Sequence, residues 1–315
     1  MNRRRLLTRT ASLAAVVGGA WWLRGHVLWP APETAFADAR ATPWLAYAHP
    51  APTPTVRVRL GGREVVALVD SGAQYSVIHC DLFQTIGGGS VFDMPMVAYG
   101  VGGGTQIGRG TTLTVDLPGL AIDGLKAAIL DLGPLASDQG LGAPLILGQD
   151  LLRRLVLELD PVGRRLRFVA RDAFTPSPDL IAAAVRRRGG LITQVSVEGA
   201  TVEAMIDTGA SALLALDADT AAAAGLLDGR PARTGSSFVL GGVLAARIIE
   251  ARTVTFADQL YRRVAVGVYD QPPLPGFPGG LIGMAAFAER RAALDLGGGR
   301  LHVSRPLDLT VGAPD

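Results

Sequence analysis

Short runs of alternating apolar and polar residues, bounded by Gly, Pro or Asp, occupy most of the chain. Residues 56–60 alternate, turn at Gly61-Gly62, and are followed by an apolar run that ends at Asp70. Period-two alternation over four to eight residues predicts half-buried β-strands. Similar runs lie at residues 111–117, 155–160, 252–256 and 263–266. The pattern therefore predicts a mostly β protein.

Helical periodicity is confined to short stretches. One begins after Asp81 and runs to Ile86, and another begins after Asp217 and runs to Ala224. We expect both aspartates to cap the first helical turn, with a glycine ending each helix. Residues 181–188 are compatible with either a short helix or a strand.

The β pattern occurs twice, which indicates an internal duplication. Three residues of the first copy recur 137 positions later: Gly62, Asp70 and Gly72 correspond to Gly199, Asp207 and Gly209. Farther along, Ile146-Leu147-Gly148 recurs as Leu281-Ile282-Gly283, 135 positions later. We predict two homologous lobes, at residues 53–172 and 189–306, joined by a linker at 173–188. Each lobe is expected to be a small, closed or nearly closed β-barrel.

The first 37 residues have the pattern of an export signal. Arg3, Arg4 and Arg5 precede an apolar run of about 13 residues, which is shorter than the ~20 that span a bilayer. The paired arginines resemble a twin-arginine signal, and Ala35-Phe36-Ala37 offers a cleavage site. We therefore predict a periplasmic or secreted protein. An uncleaved anchor in the inner membrane, with the lobes facing the periplasm, is the alternative and would give membrane association through the N-terminus.

Composition narrows the possible functions. Apolar residues make up 49% of the chain, enough for a sizeable core, and a single cysteine excludes a disulfide framework. The net charge of +2 comes from the leader, because removing its five Arg and one Glu leaves 25 basic and 27 acidic residues. We therefore expect no nucleic-acid partner. The histidines lack metal-ligand spacing, so no metal or cofactor is predicted. His79 and Cys80 are expected to point to opposite faces of a strand.

The candidate chemistry lies in Asp70-Ser71-Gly72-Ala73 and Asp207-Thr208-Gly209-Ala210, each at the end of an apolar strand. An ionised carboxylate next to a buried strand needs compensation, and a glycine two positions on permits N–H groups to turn back toward it. If the lobes pack about a pseudo-two-fold axis, the two carboxyl groups meet and can share a proton. Such a pair supports general acid–base hydrolysis of an amide. Two unrelated Asp-Gly turns are the simpler alternative.

The duplicated motif, each time followed by an apolar-apolar-Gly strand, resembles the aspartic peptidases of the retropepsin and pepsin superfamily. The resemblance covers residues 53 to 306. It implies two acid-protease-type β-barrel lobes with an active-site cleft between them, and a monomer that suffices for activity. It also implies catalytic residues Asp70 and Asp207, supported by Ser71, Gly72, Thr208 and Gly209, and apolar-apolar-Gly strands that bring Gly148 and Gly283 against the dyad. Ala73 and Ala210 make the motifs more retropepsin-like, so the implied pH optimum is less acidic than that of gastric-type enzymes.

The resemblance further implies a flap, a hairpin that covers a bound peptide. The Gly-rich segment 97–104 has the position and composition of one, with Tyr99 and Gly100 as candidate substrate-binding residues. Segment 238–242, with Gly241, occupies the matching place in the second lobe. The predicted function is an aspartic endopeptidase acting on a peptide or protein substrate without a cofactor. The alternative is an inactive peptide-binding or envelope scaffold protein of the same fold.

Overall fold

Two β lobes and a shared sheet make up the fold of the computed structural model, which describes residues 30–87, 90–99, 105–239, 242–270 and 278–305. The first lobe contains nine strands: β1 (Glu33–Phe36), β2 (Leu45–Ala46), β3 (Thr55–Leu60), β4 (Arg63–Val69), β5 (Ser76–His79), β6 (Val91–Tyr99), β7 (Thr105–Leu117), β8 (Leu120–Leu130) and β9 (Leu145–Leu147). Helix α1 (Cys80–Thr85) follows β5, and helix α2 (Gln149–Leu152) follows β9.

Six of these strands close into a barrel. Their order is β8-β5-β9-β4-β3-β7, and pairing of β7 with β8 completes the ring. Closure removes free strand edges, and the inward-facing Val, Leu and Ile side chains fill the interior. Strand β6 extends the sheet beyond β7, and β1 pairs with the first residues of β8.

The second lobe repeats this arrangement. The elements that follow α2 are β10 (Leu155–Asp160), β11 (Arg165–Ala170), β12 (Leu180–Ala183), β13 (Val185–Arg187), β14 (Leu191–Val197), β15 (Ala200–Ile206), β16 (Leu214–Asp217), α3 (Ala218–Ala223), β17 (Ala232–Val239), β18 (Gly242–Phe256), β19 (Gln259–Tyr269), β20 (Gly280–Ile282), β21 (Ala292–Asp295) and β22 (Arg300–Ser304). The barrel order of the second lobe is β14-β15-β20-β16-β19-β18, closed by pairing of β14 with β18. Short 3₁₀ turns lie at Gly133–Leu135 and Met284–Phe287.

A six-stranded sheet joins the lobes, in the order β12-β22-β21-β10-β11-β2. At its centre β10 pairs antiparallel with β21, so that Glu158 lies opposite Ala293. These two positions are 135 residues apart, the repeat offset of this region, so the pseudo-two-fold axis passes between them. All six residues of β10 are buried. Leu155, Leu157 and Leu159 belong to the main core, whereas Val156 packs with Val169 and Ala293 in a separate cluster.

The observed architecture confirms the all-β fold class with two homologous barrel lobes. Asp217 caps α3 as expected, since its Oδ1 accepts the Thr220 N–H at 2.7 Å. The expectation that Asp81 caps α1 is wrong, because this helix begins at Cys80, one residue before Asp81. His79 is therefore the N-cap residue, and no side chain caps the helix. The ambiguous segment 181–188 forms strands β12 and β13 and not a helix.

Strands also occupy two segments that the sequence places outside the predicted lobes. Strand β1 falls within the predicted leader of residues 1–37 and pairs with β8 of the first lobe. Strands β12 and β13 fall within the predicted linker of residues 173–188 and pair with β22 and β14. Among the described residues, no helix is long and apolar enough to span a membrane.

Candidate active site

The two Asp-(Ser/Thr)-Gly loops occupy equivalent places in the two barrels. Strand β4 runs parallel to β9 and ends at Val69, so Asp70 emerges beside Leu147 and its N–H donates to the Leu147 carbonyl at 3.0 Å. Asp207 emerges in the same way from β15, with its N–H bonded to the Ile282 carbonyl at 2.8 Å. The apolar-apolar-Gly strands therefore fix where each loop begins.

Four hydrogen bonds cross between the lobes through Ser71 and Thr208. The Ser71 N–H donates to Thr208 Oγ1 at 2.9 Å, and the Thr208 N–H donates to Ser71 Oγ at 3.0 Å. Each hydroxyl then donates to the opposite lobe, Ser71 to the Ile206 carbonyl at 2.9 Å and Thr208 to the Val69 carbonyl at 2.7 Å. Both side chains are buried, so breaking one bond would leave unpaired polar groups out of water. The two loops are thus held in one geometry.

Each glycine of the motif lies against the carboxyl group of the other lobe. A Cβ atom added to Gly72 would lie 2.7 Å from Asp207 Cγ, and one added to Gly209 would lie 2.6 Å from Asp70 Cγ. No real side chain tolerates such contacts. The glycines are therefore required because the two loops interleave, and this closeness lets Asp70 and Asp207 approach each other.

The two carboxyl groups lie close enough for each to change the pKa of the other. Removal from water disfavours the charged form and raises the pKa of Asp70, although hydrogen bonds from Gly72 and Ala73 oppose this effect. The pKa of Asp207 is raised well above its ordinary value, first by desolvation and then by the neighbouring charge of Asp70. Asp207 can therefore stay protonated where Asp70 is ionised, which is the electrostatic condition for acid–base chemistry.

Backbone N–H groups distinguish the two carboxyl groups. Asp70 Oδ1 accepts the N–H groups of Gly72 at 2.7 Å and Ala73 at 3.1 Å. Asp207 Oδ1 accepts the N–H of Gly209 at 2.8 Å, and the Ala210 N–H, which donates to the Asp207 backbone carbonyl at 3.3 Å, also lowers the pKa of this carboxyl group. Asp70 has one more such donor, because the Gly209 N–H lowers its pKa as well. Additional donors stabilise a negative charge. The local geometry therefore favours the ionised form of Asp70 and the protonated form of Asp207.

Gly148 and Gly283 abut the loops that carry the aspartates, in the places the family resemblance implies. A Cβ atom on Gly148 would lie 2.6 Å from the Tyr75 carbonyl, and one on Gly283 would lie 2.5 Å from the Ala210 carbonyl.

Behind Gly148 lies a polar cluster that sequence reasoning missed, made of Gln149, Asp150 and Ser76. Its sequence signal is the pair of polar residues directly after the apolar-apolar-Gly strand.

The candidate flap residues fall mostly outside the described part of the structure. Tyr99 is the last residue of β6 and its backbone pairs with Thr105 of β7, while its side chain lies outside that part. Gly100 and Gly241 both lie outside the described residues. In the second lobe Val239 of β17 pairs with Gly242 of β18. Both hairpins therefore exist up to their tips, and the substrate-binding role of Tyr99, Gly100 and Gly241 stays a prediction.

One side-chain cluster differs from the sequence-based expectation. His79, Cys80 and Asp81 bring their polar atoms within 4.8 Å of one another, because the strand ends at His79 and Cys80 already belongs to α1. The expectation that His79 and Cys80 point apart is therefore wrong. Burial and the nearby Asp81 raise the pKa of Cys80, which opposes formation of a nucleophilic thiolate. His79 Nδ1 accepts the Leu132 N–H, so Nε2 carries the hydrogen in the neutral ring.

Comparison with known proteins assigns both lobes to a family. A family model described as aspartyl protease matches residues 56–151 and 193–286, one segment in each lobe and together more than half of the chain. No curated protein matches the chain. Each matched segment contains one of the Asp-(Ser/Thr)-Gly loops, so the match follows the duplication.

Proposed function

The chain belongs to the aspartyl protease family, and on this premise we propose that it is an aspartic endopeptidase. Asp70 and Asp207 form its catalytic dyad, and a peptide or protein lying in the cleft between the lobes is its substrate. Ser71, Thr208, Gly72 and Gly209 maintain the dyad. The observation that supports this proposal best is the interleaving of the two Asp loops, held by buried hydrogen bonds across the lobes.

The proposed reaction adds water to a peptide bond without a covalent enzyme intermediate. The Asp70 carboxylate accepts a proton from water, whose oxygen forms a bond to the carbonyl carbon of the substrate. Protonated Asp207 donates its proton to the carbonyl oxygen, giving a neutral tetrahedral diol. Asp70 then gives its proton to the amide nitrogen and the C–N bond breaks. Asp207 takes a hydroxyl proton from the diol, so a carboxylic acid and an amine leave and the pair regains its starting protonation. The hydrogen bonds that favour charge on Asp70 support this division of roles.

The same proposal accounts for the rest of the site. Because both aspartates are on one chain, a monomer suffices. The Gly-rich hairpin at residues 97–104 covers the substrate and excludes water, with Tyr99 and Gly100 near the bound peptide. Gly241 belongs to the matching hairpin of the second lobe. We further propose that the basic and apolar leader exports the protein to the periplasm, either with cleavage or as an anchor.

The test is cleavage of a peptide library by the purified protein and by three variants. Asp70→Asn and Asp207→Asn should each lower kcat/KM by a factor of about 10³ or more, since each removes one partner of the acid–base pair. Asp116→Asn, at an exposed strand position, is the matched control and should retain full activity. Unchanged cleavage by both dyad variants would show that the activity arises elsewhere. A wild-type protein that cleaves nothing would favour a binding function.

A further inference from the structure

The side-chain hydrogen bonds behind the Asp70 loop have no counterpart at the equivalent described positions behind the Asp207 loop. Gln149 is fully buried and is the first residue of α2. Its side-chain Nε2 donates to the Ser71 carbonyl at 2.8 Å, and its backbone N–H donates to the Ala73 carbonyl at 2.8 Å. One residue thus binds the loop on both sides of Gly72.

The orientation of the Gln149 amide is set by Arg153. Arg153 lies four residues later, and its Nη2 donates to Gln149 Oε1 at 2.5 Å. A guanidinium has only donors, so the amide oxygen must face Arg153 and the amide NH₂ must face the Ser71 carbonyl. Arg153 is exposed as a residue, whereas the group it orients is buried. A surface charge is thereby connected to the loop through one buried side chain.

This connection continues to the carboxyl group of Asp70. The Ser71 carbonyl and the Gly72 N–H are the two ends of one peptide unit, and the Gly72 N–H donates to Asp70 Oδ1 at 2.7 Å. Donation to the carbonyl end of a peptide strengthens the N–H at its other end as a donor. A continuous series of hydrogen bonds therefore leads from the Arg153 guanidinium through the Gln149 amide and the 71–72 peptide to the Asp70 carboxyl group.

The second lobe keeps the backbone half of this arrangement and lacks the rest. Met284 stands where the first lobe has Gln149, 135 positions earlier, and its N–H donates to the Ala210 carbonyl at 2.8 Å. A thioether cannot donate to the Thr208 carbonyl. Ala288 stands at the position of Arg153. Since the fold accommodates Met and Ala at these places, the Gln–Arg pair is not a requirement of the barrel.

We propose that Gln149 and Arg153 are positioning residues that act on one side of the dyad, orienting the 71–72 peptide so that Asp70, and not Asp207, carries the negative charge. The inference rests on the proposed function, and it explains why Asp70 and Asp207 differ in charge. Asp207 is the titratable group in direct contact with Asp70. The charged and titratable groups that act on Arg153 are Arg187, Asp150 and Tyr75.

The test compares Gln149→Met, Arg153→Ala, the double variant and Arg153→Lys. Gln149→Met installs the residue of the second lobe. It should lower kcat about tenfold with KM nearly unchanged, and should move the acid limb of the kcat/KM profile to higher pH, since ionised Asp70 loses support. Arg153→Ala should act in the same direction by a smaller factor, and Arg153→Lys should restore part of it. The double variant should equal Gln149→Met alone, because Arg153 acts through Gln149.

Met284→Leu is the matched control in the second lobe and should leave kcat and the pH profile unchanged. NMR titration of the Asp70 carboxyl carbon gives a readout that needs no substrate, and it should move to higher pH in Gln149→Met. An unmoved Asp70 titration, or additive effects of the two substitutions, would overturn the proposal. Suppose that the wild-type protein cleaves peptides, that Asp70→Asn does not, and that Gln149→Met has the same kcat as the wild type. The proposed function then stands and only the positioning role of Gln149 is wrong. Absence of cleavage by the wild type bears on the proposed function, and the titration still decides this inference.

Discussion

The two lobes share a strand plan and a loop motif but differ in what lies behind the motif. In the first lobe Ser76 donates both its N–H and its hydroxyl to Asp150, and Gln149 binds the Ser71 carbonyl. The equivalent residues of the second lobe are Leu213, Ala285 and Met284. The duplication has kept the Asp-(Ser/Thr)-Gly loop in both lobes. The side chains behind that loop are polar in the first lobe and apolar in the second. This difference teaches that a symmetric fold can hold an asymmetric pair of carboxyl groups.

A second difference lies at the sheet edges. Strand β1 covers residues 120–123 of β8 in the first lobe. The equivalent residues of β19 are 259–262, and within the described part of the chain no strand pairs with them on that side. Leu120 and Ile122 are buried, whereas their equivalents Gln259 and Tyr261 are half-buried. The segment before the first barrel thus adds one strand to the first lobe, although the two barrels are otherwise equivalent.

The largest expected effect tests the part that the lobes share. Gly72→Ala and Gly209→Ala should each reduce kcat/KM by about 100-fold or more, because the added Cβ would displace the opposite carboxyl group. Kinetic assay of both variants at one pH checks this. Gly267→Ala, where the added Cβ would lie 3.9 Å from Ala215, is the control. If one glycine tolerates alanine and the other does not, the two loops do not interleave equivalently.

The next effect concerns the cross-lobe hydrogen bonds. Thr208→Val keeps the shape of the side chain but leaves the buried Ser71 N–H and Val69 carbonyl without this partner. The free energy of unfolding should fall by about 2–4 kcal/mol, measured by denaturant titration. Thr208→Ser reproduces the residue of the first lobe and should lose less than about 1 kcal/mol. An equal loss for Val and Ser would indicate that packing, and not hydrogen bonding, joins the lobes.

A third, smaller effect follows from the raised pKa of Asp207. Between the ordinary pKa of 3.8 and the raised pKa, folded Asp207 retains a proton that the unfolded chain releases. The folded state then binds more protons, so stability falls as pH rises through this window, by about 1.4 kcal/mol for each pH unit that the window spans. Asp207→Asn removes this loss and should be more stable than the wild type at neutral pH, with no gain below the window.

Asp70→Asn should give a smaller gain, because hydrogen bonds from the Gly72 and Ala73 N–H groups offset part of the burial that raises the pKa of Asp70. Thermal melts of the wild type and both variants across pH separate the two cases. A gain that is equal for the two variants would mean that the carboxyl groups are electrostatically equivalent.

The smallest effect tests the difference at the sheet edges. A chain that begins at Asp38 lacks β1, and we expect it to lose about 1 kcal/mol or less relative to one that begins at Pro30. Hydrogen exchange should quicken at residues 120–123 of β8 and stay unchanged at residues 259–262 of β19. Unchanged exchange at β8 would mean that β1 contributes nothing to the first lobe.

The fold class and the meeting of the two Asp loops could be predicted because both follow from a duplication that is visible in the residues. The strand alternation and the 137-residue offset of Asp70 and Asp207 carry that information directly. Gln149 and Arg153 could not be recognised, because their role depends on the direction of a peptide plane in a loop 78 residues earlier. The prediction that Asp81 caps α1 was wrong for a local reason, because the helix begins at Cys80 and Asp81 lies inside its first turn.

The central claim is that each lobe contributes one carboxyl group to a single pair that shares a proton. Site-resolved NMR titration of the Asp70 and Asp207 carboxyl carbons tests it most directly. The account predicts that Asp207 keeps its proton at pH values where Asp70 is ionised, and that Asp70→Asn lowers the pKa of Asp207 by removing the neighbouring charge. Two independent titrations near 3.8, each unaffected by substitution of the other residue, would contradict it.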